Sequence, residues 1–464
     1  MTISKTPPLT SLHFSKHPII INTAVLTCAG IISRLLGFLY RIFLSNIVGA
    51  ELLGIFQLVI PIYILFVSIG SGGIQIAMSR FVAENVIYKK NPQIYSKKNR
   101  HILASGIILT LLTSSLCTAV MYLSADNIAI YYLHDLRTRS LIKILAFAVP
   151  MTSLHACIIG YYFGCKKTGI PASMQILEQI FKITALLLFF KMPQCYPAVL
   201  SLVLSELSGS IFLLLFIKKE LFTNTFYSQT NKQKKCYKYF LNLFSETKKL
   251  LSISYILTLN KVLLTILSSI EATLIPFMLI KYGFNNCDAL SRYGTFTGMA
   301  LPVISFPSAL IGSVALVLLP ELTEANVSGN NGYAKKTALR ISLFAIETGI
   351  VCCAFFIISS TFIGDILFHE PLCSTYIKGL SWICPFLYVE IILGSILHSL
   401  GLTNSAFVHN VVNSAIRLVS IIFLVPKIGI SGYMYGLFVG TLITVLLHYY
   451  RVQCYYNSKE GRLR

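Results

Sequence analysis

Runs of apolar residues long enough to cross a bilayer alternate with short polar connections along the whole chain. Twelve such runs are predicted, at about 20–45, 54–79, 101–123, 141–163, 172–190, 197–217, 251–280, 294–319, 338–362, 377–399, 405–425 and 431–451. Roughly 20 consecutive apolar residues span the hydrocarbon core as a helix, whereas a barrel strand needs only about ten. A backbone in lipid must satisfy its own hydrogen bonds, so runs of this length are expected to be helices and the fold an all-α integral membrane protein. The first run is already a full span, so no cleavable signal peptide is expected.

The longest hydrophilic connection, 218–250, follows the sixth run and predicts two six-helix lobes, 1–217 and 251–464, the second ending in a short basic tail. The stretch "YKYFLNLFSETKKLL" (237–251) has the pattern of a basic amphipathic helix lying on the inner leaflet. Chains divided in this way often hold two related halves around a central cavity. The second run, "PIYILFVSIGSGGIQIAMSRFVAE" (61–84), and the eighth, "PVISFPSALIGSVALVLLPELTEA" (302–325), both open on proline, pass through small residues and close on acid. The fifth, "GIPASMQILEQIFKI" (169–183), and the eleventh, "GLTNSAFVHNVVNSAIRL" (401–418), both open on glycine and place one cation, Lys182 or Arg417, near the midpoint. The two cations stand at unequal distances from those glycines, so the repeat is suggestive by sequence alone.

Composition agrees with the pattern: 55% of the 464 residues are hydrophobic and only 12% charged, with mean hydropathy +0.74. A soluble chain carries about 25% charged residues. The formal charge of +21 is a matter of topology rather than of nucleic-acid binding. With both termini cytoplasmic, the inner connections hold 24 Lys and Arg and the outer ones 6. That bias orients a multi-pass cell-membrane protein and lays basic loops against anionic inner-leaflet lipid. The twelve cysteines include no C-x-x-C pair, and His155, His398 and His409 have no metal-ligand spacing. No cofactor, metal or disulfide framework is therefore expected.

The chemistry lies in charges within the apolar runs. "SRLLGFLYRIFLS" (33–45) carries Arg34 and Arg41, seven residues apart, which places both on one helix face roughly 10 Å apart along the axis. Each charge at the centre of a membrane helix costs about 2.5 to 3.5 kcal/mol on insertion scales. The deep cations are Arg34, Arg41, Lys182, Lys261 and Arg417, and the deep acids Glu178, Glu206, Glu271, Glu347 and Glu390. Any one of them can be half of a buried bridge, and Glu178 and Lys182 stand i, i+4 in the favourable order. As a set they point to a wet polar cavity between the halves. Arginine grips phosphate with a two-pronged fork and is less strongly hydrated than an ammonium, so the Arg34/Arg41 stripe suits a diphosphate or another polyanionic head group, with Lys182, Lys261 and Arg417 as further candidate substrate-binding cations. Glu178, Glu271 and Glu390 are candidate coupling groups, binding a proton in one access state and releasing it in the other. Gly70, Gly72, Gly73, Pro61, Pro302 and Pro307 would let spans bend, or simply pack closely.

The stretches 27–63, "MSRFVAE" (78–84), "ILEQIFKI" (176–183) and 293–325 resemble the stage V sporulation protein B family of the multidrug/oligosaccharidyl-lipid/polysaccharide (MOP) exporter superfamily. The resemblance implies two lobes in a V, alternating access and export of a lipid-linked sugar precursor for spore cortex peptidoglycan. It also implies cell-wall or cortex synthesis proteins as partners. The related lipid II flippases have an Arg-Asp pair where this chain has Tyr40 and Arg41, and an eighth-span arginine with no counterpart here, so only Arg34 carries over cleanly. Relatives usually have fourteen spans, and the missing pair would remove the groove thought to hold the lipid tail.

Three function classes follow. A flippase for an undecaprenyl-pyrophosphate-linked saccharide needs a cationic cavity. A cation-coupled multidrug antiporter needs a net acidic, aromatic-lined one. A membrane enzyme needs a catalytic constellation or a sizeable outer loop, and the longest outer loop, 124–140, has no recognisable motif, so no enzyme activity is expected.

Overall fold

The computed structural model describes residues 18–85, 92–193, 195–222, 232–308, 311–312, 322 and 331–460. Every regular element among them is helical. We number the longer helices α1 Pro18–Val48, α2 Ala50–Ser71, α3 Ile74–Glu84, α4 Pro92–Leu123, α5 Thr138–Ala146, α6 Ala148–Gly164, α7 Gly169–Leu188 and α8 Tyr196–Phe222. The remainder are α9 Lys232–Tyr282, α10 Asn286–Gly294, α11 Leu301–Ser305, α12 Asn331–Thr361, α13 Pro371–Leu380, α14 Cys384–Ser399, α15 Thr403–Phe423 and α16 Ile430–Glu460.

Nine stretches among the described residues are long and apolar enough to cross a membrane, and ten if α5 and α6, bent by 40° at Phe147, count as one. The difference from twelve has two sources. α7 is a full span in length, but Gln175, Glu178, Gln179 and Lys182 lower its hydropathy. Most of the eighth run beyond Ser308 lies outside the described residues, as do Lys5, Lys16, Lys89, Lys90 and 223–231 of the long connection. The stretch 237–251 is not a separate surface helix: α9 runs unbroken from Lys232 to Tyr282. No glycine or proline interrupts it before Pro276, so nothing in the sequence ends the helix at the membrane boundary.

Pro61 lies inside α2 without ending it; the break comes at Gly72 and Gly73. A Cβ at Gly73 would sit 2.2 Å from the Ser254 carbonyl oxygen of α9, and the Gly73 N–H donates to the Thr258 hydroxyl at 2.9 Å. Only glycine lets the two backbones approach this far.

The chain repeats itself with a fixed register. π-helical turns at Ile128–Tyr132 and Phe362–Leu367 are closed by matching bonds, Leu133 N–H to Ile128 C=O and Phe368 N–H to Ile363 C=O. Each is followed by a histidine in the left-handed region, His134 (φ 55°) and His369 (φ 54°), an uncommon backbone state for a side-chain-bearing residue. A short helix and a longer one then follow in both halves, α5–α6 and α13–α14, each pair together long enough for a span. The interval of 235 residues between the two histidines also separates Pro150 from Pro385, Lys143 from Lys378 and Lys182 from Arg417. Packing repeats too: α4 on α6 matches α12 on α14, α7 on α8 matches α15 on α16, and α1 on α7 matches α9 on α15.

The halves meet where glycine removes side-chain bulk. A Cβ on Gly54 of α2 would lie 2.1 Å from the Leu290 carbonyl oxygen of α10, and one on Gly294 would lie 2.2 Å from that of Ala50. At the same end Asn46 donates to the Leu367 carbonyl at 3.1 Å, and Arg137 ties Glu51 (2.7 Å) to Asp135 (2.8 Å). Beside them Asp126, outside the spans, is held below the usual carboxylate range by hydrogen bonds from Lys143 and Arg139.

Candidate functional site

α1 places Ser33, Arg34, Gly37, Tyr40, Arg41 and Leu44 on one stripe, at the three- and four-residue steps of a helix face. That stripe forms one wall of a cavity of about 450 Å³. Gly37 brings α7 close, with Gln179 Oε1 3.5 Å from where a Cβ would stand. Lys182 of α7 completes the cation set from the facing wall, its ammonium 4.6 Å from the centre of the Tyr40 ring. Tyr40 is itself fixed by a 2.8 Å hydrogen bond with Ser201 of α8. Gln57 and Gln179 add uncharged polar groups, and Pro302, Ser305 and Phe306 close the cavity from the second half. No acidic side chain is among the described residues that line it.

Three cations with no carboxylate among the described lining residues repel one another. Two unit charges about 10 Å apart repel by roughly 1.7 kcal/mol at an effective dielectric constant near 20. A bound dianion would turn that repulsion into attraction, and a cationic solute would add to it. The Tyr40 face supplies Lys182 with a cation–π contact worth about 0.5 to 2 kcal/mol, which holds the ammonium in place without neutralising it.

The other predicted residues are distributed elsewhere. Glu178 shares α7 with Lys182, yet no ion pair within 4.0 Å joins them among the described residues. Glu178 instead lies against Glu206 of α8, which stands 3.5 Å from His155 of α6, while Lys182 turns toward Tyr40. Arg417 is in a second cavity, of about 480 Å³, among α14, α15 and α16. There it bridges to buried Glu271 of α9 at 3.1 Å and donates to the Ser414 hydroxyl. Glu390 of α14 accepts from Asn413 at 3.0 Å in the same cavity. Lys261 lines neither cavity; it is exposed on α9 beside Gly72. Glu347 lies on the exposed face of α12. The five cations thus form one cluster of three, one bridged arginine and one exposed lysine beside Gly72.

Sequence reasoning did not single out Tyr40, Gln57 and Gln179 in the first cavity, or Asn410, Asn413, Thr441 and His448 in the second. The available signal was spacing: Asn410, Asn413 and Arg417 share a face of α15, and Thr441 and His448 share one of α16.

Comparison with known proteins bears on the whole chain. Stage V sporulation protein B of Bacillus subtilis (strain 168) is 23% identical over 450 residues, covering 94% of this chain and 83% of that protein. The lipid II flippase MurJ of the same organism is 31% identical over 177 residues, 36% of this chain and 31% of that one. The inward-facing structure of a multidrug resistance MATE family transporter of the MOP superfamily superposes with TM-score 0.69 at 12% identity, over 95% of this chain and 99% of that one. That likeness establishes the fold: two pseudo-symmetric helical halves of the MOP type. A family model described as "Polysaccharide biosynthesis protein" matches residues 19–326, and the chain belongs to that family.

Proposed function

We propose that this protein is an alternating-access flippase that moves an undecaprenyl-pyrophosphate-linked saccharide or peptidoglycan precursor across the cell membrane. The observation that carries the reading is the cluster of Arg34, Arg41 and Lys182 in one cavity with no acidic side chain among its described lining. A pyrophosphate brings two adjacent anionic groups to that cluster, and the arginines can each offer a fork to it. The likeness to stage V sporulation protein B supports a precursor used for spore cortex, and the partial likeness to a lipid II flippase supports a lipid-linked substrate. The positive-inside bias supports cytoplasmic termini and entry from the inner leaflet. Glu178, Glu271 and Glu390 remain the coupling candidates, because Glu390 lines the second cavity, Glu271 bridges the arginine of that cavity, and Glu178 lies against Glu206 beside His155.

A cation-coupled drug antiporter shares the fold, but its cargo would enter a cavity of the wrong sign. Equilibrium binding to the purified protein separates the two. Inorganic pyrophosphate should bind and be lost in Arg34→Ala, whereas a lipophilic cation such as ethidium should not compete. Tight ethidium binding displaced by no phosphate would overturn the flippase reading.

A further inference from the structure

The second cavity differs from the first in sign and in what it leaves unpaired. Its one arginine is paired, Arg417 with Glu271 at 3.1 Å, and Glu390 accepts a hydrogen bond from Asn413 at 3.0 Å, so it offers no excess positive charge of the kind the first cavity holds. From that charged end a row of uncharged polar groups runs along the cavity, made of Asn413, Asn410, Ser395, Thr441 and His448. His448 is 2% exposed, and neither ring nitrogen has a hydrogen-bond partner among the described residues. Asn413 Oδ1 is likewise buried and unpartnered, its amide nitrogen being committed to Glu390. Leaving such a group unsatisfied costs about 1 to 3 kcal/mol each. A neutral imidazole presents one donor and one acceptor, so it is completed by a ligand group that can both accept and donate. Hydroxyl groups on neighbouring carbons do so, and an amide does the same for the asparagines.

Two glycines make the room. The nearest atom to a Cβ at Gly394 would be His448 Cε1 at 3.8 Å, and a Cβ at Gly440 would stand 2.5 Å from Asn413 Oδ1. The repeat gives a second argument. At the interval of 235 residues that relates Lys182 to Arg417, the acids Glu178 and Glu206 of the first half correspond to Asn413 and Thr441. At these two positions the second half carries uncharged hydrogen-bonding groups where the first carries carboxylates, while its one carboxylate of the cluster, Glu390, stands where the first half has His155. The volume, about 480 Å³, is in the range of small-molecule sites, and Ser305 borders both cavities.

We propose that the His448–Asn410–Asn413–Thr441 cavity is a carbohydrate subsite that receives an uncharged, hydroxyl- and amide-bearing sugar ring while the cations of α1 and α7 hold the pyrophosphate. This rests on the flippase reading and assigns the sugar its own place. The test is equilibrium binding of two lipids to the purified full-length protein in detergent: undecaprenyl pyrophosphate, and the same lipid carrying a disaccharide of N-acetylated hexoses. The wild type should bind the sugar-bearing lipid at least tenfold more tightly. His448→Phe keeps the aromatic volume and removes both nitrogens, and Thr441→Val does the same for the hydroxyl, so one remains informative if the other does not fold. Either should reduce the sugar-bearing lipid to the affinity of the sugar-free one and leave the latter unchanged. Arg34→Ala should weaken both lipids alike. Equal wild-type affinities, or variants that weaken both lipids equally or neither, would overturn the subsite while leaving the cation site standing. A wild type that binds neither lipid would overturn the flippase reading and the subsite with it.

Discussion

Each cavity is governed by a few side chains whose partners decide what substitution does. Arg34 and Arg41 line the cation cavity without a carboxylate, so their removal leaves no buried counter-charge behind. Arg34→Ala and Arg41→Ala should therefore be expressed and folded normally. A charge-assisted hydrogen bond contributes about 1.5 to 3 kcal/mol, so each should lose roughly ten- to a hundredfold in pyrophosphate affinity. Titration calorimetry measures this, and Arg34→Lys should recover only part of the loss because a point charge lacks the fork. Arg417 behaves in the opposite way. Its guanidinium answers Glu271, which is 5% exposed, so Arg417→Met strands a carboxylate. Breaking a buried pair costs about 3 to 5 kcal/mol, and the double variant Arg417→Met/Glu271→Gln should recover much of it in thermal unfolding. An unchanged melting temperature in the single variant would show that the bridge carries no stability. The sequence made these charges visible but not their sorting. Insertion cost marks every deep charge alike, and only tertiary packing decides whether Arg417 meets Glu271 or Lys182 meets Tyr40.

Among the elements, the helices were readable from apolar run length because lipid leaves the backbone no other economy of hydrogen bonds. Three places depart from plain apolar run length, each for its own reason. α7 has the polar face of a cavity wall, α5 and α6 bend at Phe147, and α9 extends well beyond its apolar stretch because no breaker stops it. The internal repeat was faint in side chains and clear in backbone, since two π-turns and two left-handed histidines set a register that glycine counting missed. The contact of α2 with α10 depends on Gly54 and Gly294. Gly54→Leu should keep the halves apart at the Asn46–Leu367 end. The variant should lose the cross-link that Asn46→Cys and Leu367→Cys form in an otherwise cysteine-free protein, and with it transport. An undiminished cross-link would mean that this contact is not what closes the halves.

For the whole molecule, the all-helical, multi-pass architecture came from hydropathy, whereas the division between two cavities needed the structure. A cavity whose described lining is cationic and one whose arginine is paired, bordered by the same Ser305, fit a substrate with an anionic end and a neutral end. Coupling belongs to this scale as well. If Glu271 and Glu390 carry the proton, Glu→Gln at both should abolish the response of transport to a pH gradient and keep the response to membrane potential. An unchanged pH-gradient response would make both acids structural. The central claim is tested most directly by leaflet exchange in proteoliposomes loaded with a fluorescent undecaprenyl-pyrophosphate disaccharide, read as the fraction of lipid accessible to an external quencher over time. The wild type should exchange the lipid at least tenfold faster than protein-free vesicles, and Arg34→Ala/Arg41→Ala should fall to the protein-free rate. Exchange by the double variant at the wild-type rate, or by the wild type at the protein-free rate, would contradict the account.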